Sequence, residues 1–161
     1  MYGAKYVGNL YGSVQPQATK FQVTGGSTIT KGDLVNLVSG LIEVAGTGDA
    51  ILGLANETVV GNAGGTTYVD IIIAKRGDVY LMDNDESSGA IAATEKGTYF
   101  ATNDGGTGAQ QVQADTGGTT VNQLMLIDIN PLGYGVDDDT SMGLFTPVET
   151  MLTATTKVDE T

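Results

Sequence analysis

The chain has 161 residues, enough for one domain, with 24 glycines, 3 prolines and no cysteine, histidine or tryptophan. This composition favours short β-strands joined by tight turns over long helices. Without cysteine and histidine the chain lacks thiolate nucleophiles, the usual general base near neutral pH and the commonest metal ligand. We therefore predict a protein that is not an enzyme and uses no cofactor.

The net charge of −12 is concentrated in the second half of the chain. Residues 1–82 contain 6 acidic and 5 basic residues, whereas residues 83–161 contain 13 acidic and 2 basic residues, which is −11 of the −12. Such a surface repels phosphate backbones and anionic lipid headgroups, so we expect no nucleic-acid and no membrane partner. No apolar run approaches the roughly 18 residues of a membrane helix, and the start of the chain has no signal-peptide core.

Residues 1–20 have no clean helical or strand period, and we interpret them as an extended N-terminal arm. Tyr2, Tyr6 and Tyr11 recur among glycines in this segment. Because tyrosine combines a large ring with a polar tip, these three residues are candidates for an interface with another protein. The alternative is that their rings fold back onto the chain's own core.

Residues 31–45, with the sequence KGDLVNLVSGLIEVA, predict a β-hairpin with Ser39-Gly40 as a two-residue turn. The predicted register pairs Val38 with Leu41, Leu37 with Ile42 and Val35 with Val44. One face is then wholly apolar, and it consists of Val35, Leu37, Ile42 and Val44. The other face is mixed, and it consists of Leu34, Asn36, Val38, Leu41 and Glu43. We expect this mixed face to be half covered, which makes Leu34, Val38 and Leu41 further interface candidates.

Further strands are predicted at 51–56, 68–74, 78–82, 98–101, 110–114 and 123–129, separated by glycine-rich turns. No helical pattern lies between them, so residues 21–130 are predicted to form one all-β core domain, either a small β-barrel or a sandwich. Residues Thr30–Val35 and Glu95–Phe100 share a polar turn with Lys-Gly before a strand. Reuse of one favourable turn is the simpler explanation of this echo, and a two-halved β structure is the other.

Residues 131–161 are predicted to be an irregular acidic C-terminal extension. Residues Thr146–Glu149 have the form of a capping box with proline at the first helical position, which predicts a short helix near 147–153. The remaining threonine-rich end favours helix poorly.

Two acidic clusters are candidates for binding a hard cation. One contains Asp83, Asp85 and Glu86, and the other contains Asp137, Asp138 and Asp139. Neither completes the spacing of an EF-hand loop, so solvated acidic loops are the favoured interpretation of both. A phosphate-binding loop is excluded by spacing, because Lys31 precedes its glycine and a strand pair follows.

Residues 28–60 read TITKGDLVNLVSGLIEVAGTGDAILGLANETVV, and residues 64–82 read GGTTYVDIIIAKRGDVYLM. In order, these segments give a Lys-Gly-Asp turn, a hairpin with Gly40 at its tip, the stretch Ile51–Ala55, and an apolar strand closed by Arg76-Gly77. This order resembles the small decoration proteins, also called cement or head-stabilising proteins, that coat the capsids of tailed bacteriophages. The resemblance covers residues 23–82 well and extends loosely to about residue 130.

The resemblance implies a β-barrel or tulip-like sandwich that forms a homotrimer on the outer surface of the virion. It implies the major capsid protein as partner, synthesis in the host cytoplasm and no active site. The function expected from it is binding to the capsid as an oligomer and stabilisation of the head. Two alternatives stay open: another self-assembling structural subunit, such as a head fibre or a tail tube, and a carbohydrate-binding β module that uses Tyr68, Tyr80 or Tyr99.

Overall fold

A computed structural model describes residues 3–12, 15–84, 91–103, 110–114, 123–129, 142–148 and 150. These residues form an all-β fold with one short 3-10 helix, Ala93–Glu95. No helix in this part of the chain is long and apolar enough to cross a membrane.

Short strands account for most of the described chain. In chain order they are β1 Lys5–Asn9, β2 Ala18–Gln22, β3 Thr28–Ile29, β4 Leu34–Val38, β5 Leu41–Val44, β6 Gly53–Ala55, β7 Val59–Val60, β8 Tyr68–Ile73, β9 Asp78–Asp83, β10 Tyr99–Asn103, β11 Gln111–Ala114, β12 Leu124–Ile129 and β13 Met142–Pro147.

The strands are arranged in three antiparallel sheets. A six-stranded sheet has the order β1-β9-β13-β12-β10-β11, a five-stranded sheet has the order β2-β8-β6-β4-β5, and β3 pairs with β7 in a small ribbon. Neither large sheet closes on itself in the described residues, so the predicted all-β class is confirmed as a sandwich and not as a closed barrel.

Two apolar clusters hold the layers together. The first lies between the large sheets, where Leu34 and Leu54 of the five-stranded sheet join Tyr80, Phe100 and Phe145 of the six-stranded sheet. The rings of Phe100 and Phe145 meet edge to face, with centroids 5.2 Å apart. This shared core fixes one side of the six-stranded sheet as its inner face.

The second cluster lies on the opposite side of the five-stranded sheet. It contains Val35 and Ile42 from the hairpin, Ile71 from β8 and Ile29 from the β3–β7 ribbon. The middle of the five-stranded sheet is therefore buried on both faces, which explains why adjacent residues such as Leu34 and Val35 are both fully buried.

The predicted hairpin is confirmed residue for residue. Val38 pairs with Leu41, Leu37 with Ile42 and Val35 with Val44. Ser39 and Gly40 have φ values of 51° and 85°, the left-handed conformation that a type I′ turn requires at both central positions. Val35 and Ile42 of the apolar face are fully buried.

The sequence similarity between Thr30–Val35 and Glu95–Phe100 corresponds to one type of β-turn that the fold uses repeatedly. In Thr30–Asp33 and Lys75–Asp78 the fourth residue's N–H donates to the first carbonyl, and the aspartate carboxylate accepts the first residue's N–H at 2.7 and 2.8 Å. Gly46–Asp49 repeats both bonds, and Glu95–Thr98 repeats the backbone bond. The third residue is a glycine with positive φ each time, as a type II turn requires. Reuse of a good turn is thus the explanation that the geometry favours.

A buried polar cluster fastens the two large sheets together beside the shared core. The Gln110 amide accepts from Leu34 N–H at 2.6 Å and donates to the carbonyls of Leu34 and Ala45. Gln123 accepts from Thr102 N–H at 2.8 Å and donates to the carbonyls of Gly46 and Asp49. Because these amides bond to the backbone of β4 and of the loop that follows β5, the cluster helps to fix the position of one sheet on the other.

The structure corrects the prediction at both ends of the chain. Within the predicted arm, Lys5–Asn9 is an edge strand paired with β9. The edge strand Ala18–Gln22, which pairs with β8, also begins inside the predicted arm. Within the predicted extension, Met142–Pro147 is a strand between β9 and β12. A helix starting at Pro147 is therefore wrong, because Pro147 ends a strand and Thr150 forms a β-bridge with Ile51. Residues 149 and 151–153 lie outside the described residues.

Candidate functional site

The outer face of the six-stranded sheet carries a shallow groove of about 210 Å³, which we call the outer groove. Its floor is a row of register partners that crosses three strands: Tyr99 of β10 pairs with Met125 of β12, and Met125 pairs with Thr146 of β13. Since successive side chains point to opposite sides of a strand, these residues face away from the core that contains Phe100 and Phe145.

The opposite wall is formed where β1 leaves the sheet, at Leu10 and Tyr11. Hydrogen bonds hold this wall in place. Asn9 donates through its Nδ2 to the Asp78 carboxylate at 2.9 Å and to the Arg76 carbonyl at 3.0 Å, and its Oδ1 accepts the Tyr11 N–H at 2.8 Å. A side chain at the end of β1 is thus bonded to the turn that precedes β9.

The Tyr11 ring is held although it is 71% exposed. A Cβ on Gly77 would lie 2.5 Å from the Tyr11 ring, so the ring packs directly on the glycine backbone. The Arg76 guanidinium lies over the same ring, with Cζ 5.8 Å from the centroid, within the range of a cation–π interaction. An exposed aromatic fixed in this way needs little ordering when a partner binds.

Exposed apolar side chains concentrate at the outer groove. Leu10 is 54% exposed, Tyr99 42% and Val148 39%, and all three line the groove together with Tyr11. Single exposed apolar residues are ordinary on protein surfaces, whereas a contiguous group marks a place where another molecule binds. Aromatic residues, methionine and arginine are also the types enriched in protein interfaces.

Arg76 gives the groove its charge. None of the described residues that line the groove is acidic. Elsewhere, Lys96 pairs with Asp128 at 2.6 Å and Lys20 with Asp70 at 3.5 Å. The Lys96 ammonium holds the pKa of the Asp128 carboxyl below its usual range, and the Ile129 N–H lowers that pKa further. The outer groove therefore combines an apolar floor with one cation.

The predicted interface residues are placed in different environments. Tyr11 lines the outer groove, whereas Tyr6 is half-buried and meets Tyr80 edge to face with centroids 6.1 Å apart. Tyr6 thus packs on the chain's own core, the alternative that the sequence left open. Tyr2 lies outside the described residues.

The mixed face of the hairpin is covered unevenly. Leu34 is fully buried in the shared core, so it is not available to a partner and its prediction as an interface residue is wrong. Leu41 is half-buried, and Val38 beside the turn is 43% exposed. Val38 and Leu41 therefore remain as a small apolar spot at the hairpin tip, on the other large sheet from the outer groove.

The predicted cation clusters and sugar-binding tyrosines gain no support from the geometry. No group of three potential metal ligands occurs among the described residues. Asp83 is a buried strand residue, and Asp85, Glu86 and Asp137–Asp139 lie outside the described part of the chain. Tyr80 is fully buried and cannot stack on a sugar, while Tyr68 and Tyr99 are exposed on different sheets.

No family model, curated protein or solved structure matches this chain. Sequence reasoning identified Tyr11 but missed Leu10, Arg76, Met125 and Val148. A signal existed for Met125, because it alternates with the core residues Leu124 and Leu126. Val148 was missed because its segment was interpreted as an extension. The arrangement as a whole can bind an apolar group and an anion side by side.

Proposed function

We propose that this protein is a structural virion subunit that binds the outer surface of a tailed-phage capsid as an oligomer and stabilises the head. The observation that supports this most directly is the pre-ordered, exposed apolar surface of the outer groove on a sandwich tied together by buried hydrogen bonds. Such a surface suits binding to another protein. The resemblance of residues 23–82 to decoration proteins supplies the class of partner, the major capsid protein.

Repetition strengthens such binding. A capsid presents many equivalent sites, and an oligomer that engages several of them gains affinity without any new contact. Each groove then needs only a modest affinity. The homotrimer that the resemblance implies fits this arrangement, and the hairpin tip at Val38 and Leu41 is a second surface through which subunits could meet.

The test is co-sedimentation of the purified protein with heads that lack outer proteins, prepared from the phage that encodes the chain. We expect saturable binding at micromolar concentration in a fixed ratio to the major capsid protein, and a higher temperature of head disruption. Analytical ultracentrifugation of the free protein should show an oligomer. A monomer that neither binds nor stabilises heads would rule the proposal out.

Electron microscopy of the purified protein distinguishes the proposed function from the leading alternative. Tubes or lattices that form without a preformed shell would identify a tail-tube or other self-assembling subunit instead. Binding on a glycan array that is lost in Tyr68→Ala and Tyr99→Ala variants would favour a carbohydrate-binding module.

A further inference from the structure

Arg76 is the charged residue of the outer groove. The sequence has 19 acidic and 7 basic residues, yet among the described residues no carboxylate lies within ion-pair distance of the Arg76 guanidinium. The nearest aspartate in sequence, Asp78, uses one carboxylate oxygen to accept from Lys75 N–H and the other to accept from Asn9. Arg76 is exposed, and its guanidinium Cζ lies 5.8 Å from the centroid of the Tyr11 ring.

The Arg76 guanidinium carries N–H donors along its edge, and these donors can bind a carboxylate with two parallel hydrogen bonds. When a partner covers the groove, the apolar side chains of Leu10, Met125 and Val148 help to exclude water from beside Arg76, which strengthens such a bond. A cavity of about 210 Å³ has room for one large apolar side chain next to that carboxylate.

We propose that the outer groove binds a segment of a partner protein that presents a large apolar side chain next to a carboxylate, with the carboxylate on Arg76. The inference rests on the proposed function only in assigning this segment to a capsid subunit. Charge complementarity supports the choice of partner, because Arg76 is the one charged side chain among the described residues that line the groove. Arg76 also lies in the nearly neutral first half of the chain, where the net charge opposes the approach of an acidic segment least.

Two short peptides test the inference on the full-length protein. The probes are Ac-Gly-Leu-Glu-Gly-amide and its glutamine analogue, which differ only in the carboxylate. Methyl resonances of Met125 and Val148 report binding by NMR. We expect saturable shifts with the glutamate peptide and about tenfold weaker binding of the glutamine peptide, the effect of one charge-assisted hydrogen-bond pair.

Two protein variants assign the preference to the groove. Arg76→Gln should bind the two peptides equally, because its amide has no charge to offer. Lys5→Gln removes the same charge from an exposed side chain outside the groove lining and should keep the tenfold preference. Because both side chains are exposed, both variants should keep the parent melting temperature.

Three outcomes of the peptide experiments would overturn the inference. These are no saturable shift at about 1 mM peptide, equal binding of both peptides to the parent protein, and an unchanged preference in Arg76→Gln. A self-association that Arg76→Gln abolishes would assign the groove to a second copy and would also overturn it. If heads bind the protein while Arg76→Gln has no effect, the groove inference fails alone. If the peptides bind as expected but heads do not, the proposed function fails alone.

Discussion

The hydroxyl of Tyr80 is buried in the core between the two large sheets and has no hydrogen-bond partner among the described residues. A buried hydroxyl without a partner destabilises the folded state by about 1–3 kcal/mol relative to a matched apolar group. Tyr80→Phe keeps the ring and its edge-to-face contact with Tyr6. We therefore expect the substitution to raise the free energy of unfolding in urea by about 1 kcal/mol.

The same residue makes stability depend on alkaline pH. Burial raises the pKa of Tyr80 well above its ordinary value of 10.0, and the Asp78 carboxylate raises it further. Below pH 10 the Tyr80 hydroxyl is protonated in both the folded and the unfolded state, so it causes no loss of stability there. Above pH 10 the unfolded tyrosine loses its proton while the folded one keeps it, so stability falls by about 1.4 kcal/mol per pH unit for this group.

Tyr80→Phe should remove this contribution to the loss of folding stability at alkaline pH. Urea melts of both proteins between pH 9 and about pH 11 measure it, with Tyr68→Phe as the control at an exposed tyrosine. A variant that is less stable at neutral pH, or that loses stability as steeply as the parent above pH 10, would contradict the expectation.

Among the elements, β6 depends on a glycine inside the five-stranded sheet. A Cβ on Gly53 would collide with the Ile72 carbonyl oxygen and lie 2.7 Å from the Ile71 side chain. Because backbone cannot move aside without breaking the pairing of β6 with β8, we expect Gly53→Ala to lower the free energy of unfolding by about 3 kcal/mol or more. Urea denaturation of both proteins measures the difference.

Gly8→Ala is the matched control for this substitution. Gly8 also lies in a strand, but its added Cβ meets nothing within 4 Å. Its effect should stay within about 0.5 kcal/mol. Equal effects of the two substitutions would show that the close approach at β6 does not limit stability.

The elements that could be predicted from sequence are those with a local signal. Ser39-Gly40 identified the hairpin because only particular residues tolerate a type I′ turn. The alternation of side chains between the two faces of each strand then indicated the register. Strand β13 has weaker signals: it contains Gly143, and Pro147 suggested the start of a helix. Its strand conformation comes from pairing with β9 and β12, which are distant in the chain.

At the scale of the molecule, the outer groove could not be predicted because it is assembled from distant segments. Tyr11, Arg76, Met125 and Val148 come together only through the order of strands in the six-stranded sheet. Alternation identifies two faces of a strand but does not say which one is covered. That assignment depends on how the two large sheets pack. Leu34 illustrates this, because it lies on the mixed face of the hairpin and is nevertheless buried in the shared core.

Strand β13, near the C-terminal end of the described chain, belongs to the core. Strand β13 lies between β9 and β12, and it contributes Phe145, which is fully buried against Phe100. A chain that ends at residue 141 loses this strand and exposes the edges of both neighbours. We expect it to show no cooperative thermal unfolding by circular dichroism, whereas a chain that ends at Thr150 keeps every described strand and should unfold cooperatively.

Phe145→Ala gives a graded version of the same test in the full-length chain. Removing a fully buried ring should lower the free energy of unfolding by about 3–5 kcal/mol. A chain ending at residue 141 that melts cooperatively at the parent temperature would restore the sequence-based prediction of an irregular C-terminal extension outside the core domain. The outer groove would then lose its support as well, because Thr146, Pro147 and Val148 form part of it only if β13 is held in the sheet.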